Sequence, residues 1–201
     1  MAPKSTTMSF EGKDPRKNIR VIEDAILAGV HDGVTEITLF TKGRAQANLT
    51  DRQKVDEGTL RQSITAEVAN RGKSIVGKVF PAAKHGIWVE YGRKGRKSSP
   101  AGTNNPHAGK AAFPPINVIR EWVRRNNSEF RVSGVTKSGR TRKPKDQDLD
   151  NAAFLIARKI ADEGIQPTPY LRPAYELARP RTRKTVANHV AARIRRFRGT
   201  K

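Results

Sequence analysis

The sequence predicts an α+β protein with a long N-terminal helix, a small antiparallel β-sheet, C-terminal helices and long basic loops. Three observations predict this class: apolar residues at steps of three and four near the N-terminus, alternating residues on both sides of an Asn-Arg-Gly turn, and two further helical patterns after a Pro-Pro pair. A length of 201 residues suits one domain with extensions. We therefore expect an extension over 1–13, a single α+β domain over 14–195 and a basic tail over 196–201.

The composition points to an anionic partner. Lys and Arg number 40 against 19 Asp and Glu, a formal charge of +21, so the chain repels itself unless a polyanion or an acidic protein lies nearby. The absence of cysteine excludes a disulfide framework, a thiolate zinc site and a cysteine nucleophile. No apolar run is long enough for a membrane span, and the N-terminus lacks the apolar middle of a secretion signal. We expect a soluble protein made in the cytoplasm, with no membrane partner.

The N-terminal helix is predicted by its start signal and its stripe. Asp14 followed by Pro15 is typical of an N-cap and a first helical residue. Gly29 and Gly33 weaken the helix and allow a bend. The predicted core stripe consists of Ile19, Ile22, Ile26, Val30, Val34 and Ile37.

A turn and a hairpin are predicted next. Gly58 suits a tight turn, after which Leu60 and Ile64 re-enter the core. Alternation over 64–69 and 75–80 predicts two antiparallel strands. The segment HGIWVEYG (85–92) is either a strand or one turn of helix, since periodicity does not separate the two, and Trp88 and Tyr91 are expected to supply buried area.

The C-terminal half alternates basic loops with helices. The segments 92–112 and 126–147 are rich in Gly, Ser, Pro and basic residues and are expected to be exposed. Pro114-Pro115 begins a short helix, and Asp150 is expected to cap a second helix that ends at Gly164. Pro169 and Pro173 predict an extended segment before the last helix. A break in that helix is predicted at Pro180.

The sequence contains few candidate residues for catalysis or metal binding. The four histidines (His31, His85, His107 and His189) fall in four different elements without a partner at metal-ligand spacing. Asp146, Asp148 and Asp150 alternate as in part of a calcium loop, but the glycine and the terminal glutamate of such a loop are missing. The GRKGRK stretch lacks the pattern of a phosphate-binding loop. We expect no enzymatic activity, no cofactor and no metal.

Contact with phosphate groups is the better hypothesis, because basic residues form three acid-free clusters. Aromatic residues do not interleave with them as on a base-stacking surface, so contact without sequence reading is expected. The alternative is that the clusters are solvated or pair with acidic neighbouring subunits. The candidate contact residues are Arg93, Lys94, Arg96, Lys97, Arg140, Arg142, Lys143, Lys145, Arg195, Arg196 and Arg198.

Three motifs occur in order: VDEGTLRQSI (55–64), IWVEYG (87–92) and PTPYLRPAYE (167–176). Together they resemble the head–tail joining or tail-completion proteins of long-tailed bacteriophages, the group that includes minor tail protein Z of lambda. The resemblance covers roughly residues 14–195. The chain departs from the family pattern at Glu57, Arg93 and Tyr170, where the family usually has threonine, threonine and phenylalanine.

The resemblance implies a structural virion protein of the neck, between head and tail, assembled in the host cytoplasm. It implies a homo-oligomeric ring, expected to be hexameric, against tail-terminator and head-closure or connector proteins, with duplex DNA in the channel. The alternative is a nonspecific nucleic-acid-binding protein outside the virion. We interpret the motif residues as core and turn formers, or, for Glu90, Tyr170 and Leu171, as subunit contacts. The motif residues are Asp56, Gly58, Leu60, Ser63, Glu90, Gly92, Pro169, Tyr170, Leu171 and Pro173.

Overall fold

A computed structural model of the chain describes residues 15–51, 58–71, 74–126, 133–135 and 138–198, without the side chains of 15–18 and 197–198. The elements are α1 (Pro15–Asp51), α2 (Thr59–Gln62), β1 (Ile64–Arg71), β2 (Ser74–Pro81), α3 (Gly86–Tyr91), α4 (Ile116–Arg125), β3 (Gly134–Val135), β4 (Thr141–Arg142), α5 (Asp146–Glu163) and α6 (Leu171–Arg198). β1 pairs with β2, and β3 pairs antiparallel with β4. The predicted α+β class is confirmed.

The chain forms two compact units. The first unit contains the chain up to Phe80 together with the C-terminal helix from Leu171, and the second unit is Pro81–Tyr170. The expected extension over 1–13 and the N-cap at Asp14 lie outside the described residues. The single domain over 14–195 and the separate tail over 196–201 stay predictions.

In the first unit, α1 and α6 pack antiparallel at very short range. A methyl group at Gly29 would lie 2.6 Å from Val190 Cα, and one at Gly33 would lie 2.7 Å from Val186 Cα. The two glycines therefore serve the close approach of two helices and are buried in it. Their packing role is explained by their four-residue spacing, and the bend that they allow stays a prediction.

The buried row of α1 differs from the predicted apolar stripe. It contains Gly29, Gly33, Thr41, Ala45 and Leu49, in steps of four residues that pass through the half-buried Ile37, and the neighbouring Thr38 is also buried. The stripe prediction is wrong for Ile19 and Ile26, which are 56% and 37% exposed, and its other members are half-buried. Small residues occupy the contact because they bring two backbones closer than branched residues allow.

The turn and hairpin are confirmed. Gly58 has φ 77° and precedes α2, and Leu60 and Ile64 are 6% and 1% exposed. The Gln46 side chain of α1 donates to the Arg61 carbonyl at 3.0 Å, and the Ser63 hydroxyl donates to the Leu60 carbonyl at 2.8 Å. The first bond holds α2 against the long helix, and the second closes the end of α2. Asp56 lies outside the described residues.

α6 corrects two predictions about proline. The helix is continuous across Pro180, so the predicted break is wrong. Residues on both sides of Pro180, among them Ala178 and Val186, are packed in the first unit, and this packing holds the helix together. Pro173 lies in the first turn of α6 instead of an extended approach, because first-turn N–H groups have no partner within the helix.

The second unit has a core between α4 and α5, formed by Ile119, Val123, Leu149, Ala153 and Ala157. The segment that periodicity left open forms the helix α3. Gly164 ends α5 with φ 81°, as predicted, so a positive φ favours glycine there.

The start of α5 corrects the predicted cap. The helix begins at Asp146, one residue after Lys145, and Asp150 lies beyond its first turn. Asp148 accepts a hydrogen bond from the Lys145 backbone N–H at 2.7 Å. Asp148 is therefore the carboxylate that caps α5, because the free N–H groups lie at the helix start.

No described helix combines the length and apolar character that crossing a bilayer requires.

Candidate nucleic-acid interface

The first basic cluster, which contains Arg93, Lys94, Arg96 and Lys97, lies in the loop 92–112. This loop folds back onto the end of α5. The backbone N–H groups of Arg96 and Lys97 each donate at 2.9 Å to a carbonyl of the last α5 turn, those of Ala161 and Asp162. The backbones of Arg93 and Ile165 exchange two hydrogen bonds of 2.8 Å. Because the last carbonyls of a helix have no partner within it, the loop 92–112 completes α5.

Most cations of this loop already have partners. Arg96 and Lys97 contact Asp162 at 2.9 and 3.0 Å. The hydrogen bond from Lys97, followed by the interaction with Arg96, holds the pKa of the Asp162 carboxyl below its ordinary value. Lys94 is exposed.

Arg93 contradicts the prediction of an exposed loop. It is 8% exposed, its guanidinium carbon lies 4.9 Å from the centre of the Trp88 ring, and its Nε donates to the Lys110 carbonyl at 2.9 Å. The flat guanidinium is enclosed by an aromatic face and a carbonyl, so Arg93 is not available to an external polyanion.

The second basic cluster lies in the segment 126–147. One of its described cations, Arg142, forms an ion pair, and three others are exposed. Arg142 binds Asp148 with contacts of 2.7 and 3.4 Å. The Lys145 backbone N–H and then Arg142 lower the pKa of Asp148. The side chains of Arg140, Lys143 and Lys145 are exposed.

The aspartates of α5 bind arginines of α4. Arg120 contacts Asp146 at 3.1 Å and Asp150 at 2.9 Å, and Arg124 also contacts Asp146 at 3.1 Å. Within the described residues no group of three His, Cys, Asp or Glu side chains could hold a metal ion. Asp146 and Asp150 are therefore partners of α4, whereas Asp148 binds Arg142.

The third cluster extends along α6. Arg195 and Arg196 are exposed near its C-terminal end, and Arg198 is its last residue, with a side chain outside the description. Arg183 and Lys184 belong to the same acid-free basic run of the sequence and are exposed, although they are not among the candidate contact residues. Sequence reasoning missed the exposed Arg179, which extending that acid-free run back to Leu177 could have found.

The second and third motifs meet in the buried interior of the second unit. Glu90 is 4% exposed, and its Oε2 accepts a hydrogen bond from the Tyr170 backbone N–H at 2.7 Å. Tyr170 is fully buried, and its hydroxyl donates to the Gly86 carbonyl at 3.4 Å. Burial, and secondly the Glu90 carboxylate, raise the pKa of the Tyr170 hydroxyl. This burial favours the packing interpretation of Glu90 and Tyr170.

The neighbouring motif residues support this junction. Gly92 has φ 73°, and a methyl group there would lie 2.7 Å from the Ile165 carbonyl oxygen, so glycine is required twice over. The Thr168 N–H donates to the Val89 carbonyl at 2.7 Å, just before the half-buried Pro169. The expectation of burial is wrong for Trp88, which is 37% exposed, because the inner side of α3 is occupied by its two buried residues, Gly86 and Glu90. Leu171 is half-buried.

No protein-family model, curated protein or solved structure matches this chain. The resemblance to the tail-completion family therefore rests on the three motifs and on how the fold uses them.

Proposed function

We propose that this protein is a structural component of a bacteriophage virion that forms a homo-oligomeric ring in the neck, completes the tail and joins it to the DNA-filled head. It has no enzymatic role in this proposal. Its neighbours are tail-terminator and head-closure or connector proteins, and the ring is expected to be hexameric.

The observation that carries the proposal is the buried hydrogen bond between Glu90 and the Tyr170 backbone. Short motifs are weak signals when each stands alone. Here the second and third motifs, 80 residues apart in the chain, form one structural feature, and the first motif forms the predicted turn at Gly58. Two motifs joined in one structural feature, together with a third that forms its predicted turn, support the resemblance more strongly than three independent matches.

Exposed apolar residues in the second unit fit a protein that is buried on assembly. Phe113 and Phe154 have ring centres 5.9 Å apart and are 41% and 46% exposed, and Leu155 is 62% exposed. Contiguous exposed apolar side chains are typical of interaction surfaces. Closed rings arise when one face of a subunit contacts a different face of the next.

The test is quantitative mass spectrometry of purified infectious particles and of separated heads and tails. We expect a low copy number, about six or twelve, which corresponds to one or two closed hexameric rings. Absence of the chain from the particles would overturn the proposal.

The charge favours a second candidate, a nonspecific nucleic-acid-binding protein outside the virion. A formal charge of +21 suits sequence-independent contact with phosphates. Recovery of the chain on intracellular nucleic acid, and not in particles, would select this candidate. Neighbouring reading frames for portal, closure and tail proteins would select the neck.

A further inference from the structure

The first unit concentrates positive charge on one helix. α6 contains nine basic residues and one acidic residue, whereas α1 contains five of each. Like charges on neighbouring turns destabilise a helix. A helix with this composition is suited to a polyanionic partner that neutralises it.

Part of this charge is used to hold the two helices together. Arg193 contacts Asp32 of α1 at 2.6 Å, and His189 contacts Glu36 at 2.6 Å. The Arg181 guanidinium carbon lies 4.9 Å from the centre of the Phe40 ring. These three side chains contact α1, and Arg181 remains exposed to solvent.

Four other cations of α6 are exposed, and no ion pair within the described residues engages them. They are Arg179, Arg183, Lys184 and Arg195. With the exposed Asn188 they form a surface that we name the α6 basic face. None of these four cations makes the contacts with α1 described above, so α6 contains cations that hold the two helices together and other, exposed cations that do not.

The geometry of the α6 basic face suits a phosphate backbone. Arg179 and Arg183 are about 6 Å apart along the helix axis, and Lys184 and Arg195 are about 16 Å apart. Exposed small residues, Ala187 and Ala192, lie between the last two cations. Small side chains let a sugar–phosphate backbone approach, and Arg and Asn donate hydrogen bonds to phosphate oxygens.

The partner that fits best is a duplex. No Phe, Tyr or Trp occurs between Arg179 and Arg196, and His189 contacts Glu36 of α1, so this face lacks the aromatic side chains on which single-stranded nucleic acids stack. We propose that the α6 basic face binds the phosphate backbone of duplex DNA without reading its bases. This inference rests on the proposed neck function only for the choice of duplex DNA, and it places the contact on α6 instead of the loops 92–112 and 126–147.

The experiment measures how the affinity of the full chain for a short random-sequence duplex depends on salt. Each phosphate contact contributes a slope of about 0.9 in log affinity against log salt. The triple variant Arg179→Ala, Arg183→Ala, Lys184→Ala should reduce the slope by about 2.7 and the affinity roughly a hundredfold near 0.1 M salt. Alanine is the best helix former, so α6 should stay folded, which circular dichroism checks.

The matched control removes the same charge from exposed lysines of the second unit: Lys94→Ala, Lys110→Ala, Lys143→Ala. We expect it to leave the slope nearly unchanged. An equal loss in both triple variants would mean that binding follows net charge alone and would overturn the proposal, as would a larger loss in the control.

Two further results would also contradict duplex binding. One is wild-type affinity without salt dependence, and the other is displacement of the duplex by polyglutamate at equal charge concentration, which would indicate an acidic protein partner. The binding assay uses the isolated protein, so its failure leaves the copy number in particles as a separate test of the neck function.

Discussion

Glu90 shows how one buried carboxylate organises the second unit. It lies in α3 and accepts a hydrogen bond from a backbone N–H at the far end of the same unit, at Tyr170. Both residues are almost completely inaccessible to solvent. A buried N–H without an acceptor is costly, so this single side chain stabilises the chain where it leaves the second unit.

Replacing Glu90 by alanine should lower the free energy of unfolding by about 1–3 kcal/mol, because the Tyr170 N–H loses its acceptor in a buried site. Denaturant titration measures the change. Glu90→Gln keeps an acceptor oxygen and should be milder. Equal stability of the alanine variant and the wild type would contradict the role assigned to Glu90.

Tyr170 should make the protein sensitive to alkaline pH. The pKa of its hydroxyl is raised in the folded state above its ordinary value of 10.0, so the unfolded chain releases this proton first. The stabilising contribution is complete below about pH 10 and is lost as the pH rises toward the folded-state pKa. Tyr170→Phe should flatten this alkaline decline in unfolding free energy, and an unchanged decline would show that other groups cause it.

At the scale of elements, the antiparallel contact of α1 with α6 depends on glycine. Gly29→Ala should destabilise the protein, because its methyl group would meet the Val190 backbone. Overpacking costs about 1–3 kcal/mol, and helix propensity returns at most about 1 kcal/mol. Gly43→Ala is the matched control in the same helix, since a methyl group there meets nothing within 4 Å. The thermal unfolding temperature should fall for Gly29→Ala and rise for Gly43→Ala. The same change in both variants would refute the close contact.

The loop 92–112 is a second element whose behaviour depends on a distant residue. Asp162→Asn removes the ion pairs with Arg96 and Lys97, so trypsin should cleave after these residues several-fold faster than in the wild type. Mass spectrometry of the fragments identifies the cleaved bonds. Asp146→Asn is the control from the same helix, and equal cleavage in both variants would show that backbone hydrogen bonds alone hold the loop.

For the whole molecule, the proposed neck role requires an intact first unit. Leu60→Asp buries a charge in a core position that is 6% exposed, and it should give unfolded protein and particles whose heads and tails never join. Lys94→Ala changes one exposed side chain and should be nearly silent in the same infectivity assay. Joined, infectious particles carrying Leu60→Asp would contradict the core assignment.

The sequence alone predicted the long first helix, the turn at Gly58, the hairpin and the end of α5 at Gly164. It did not predict β3 and β4, which lie in a segment expected to be a loop, and it left α3 open between strand and helix. These features depend on neighbouring residues, because periodicity, turn chemistry and helix ends are local properties. Local patterns also predicted the α+β class. They misassigned the break at Pro180, since a proline inside a helix is tolerated when tertiary packing supports both sides.

Only the tertiary structure decided which cations form ion pairs or ring contacts within the protein. Arg96 and Asp162 are 66 residues apart in the chain and form an ion pair, and Arg93 is enclosed by Trp88. No local pattern distinguishes these residues from the exposed Lys94. The same holds for Gly29 and Gly33, which a local view treats as weak points of a helix. Their function in helix packing depends on a second helix more than a hundred residues later, and such pairings are set by the free energy of the whole fold.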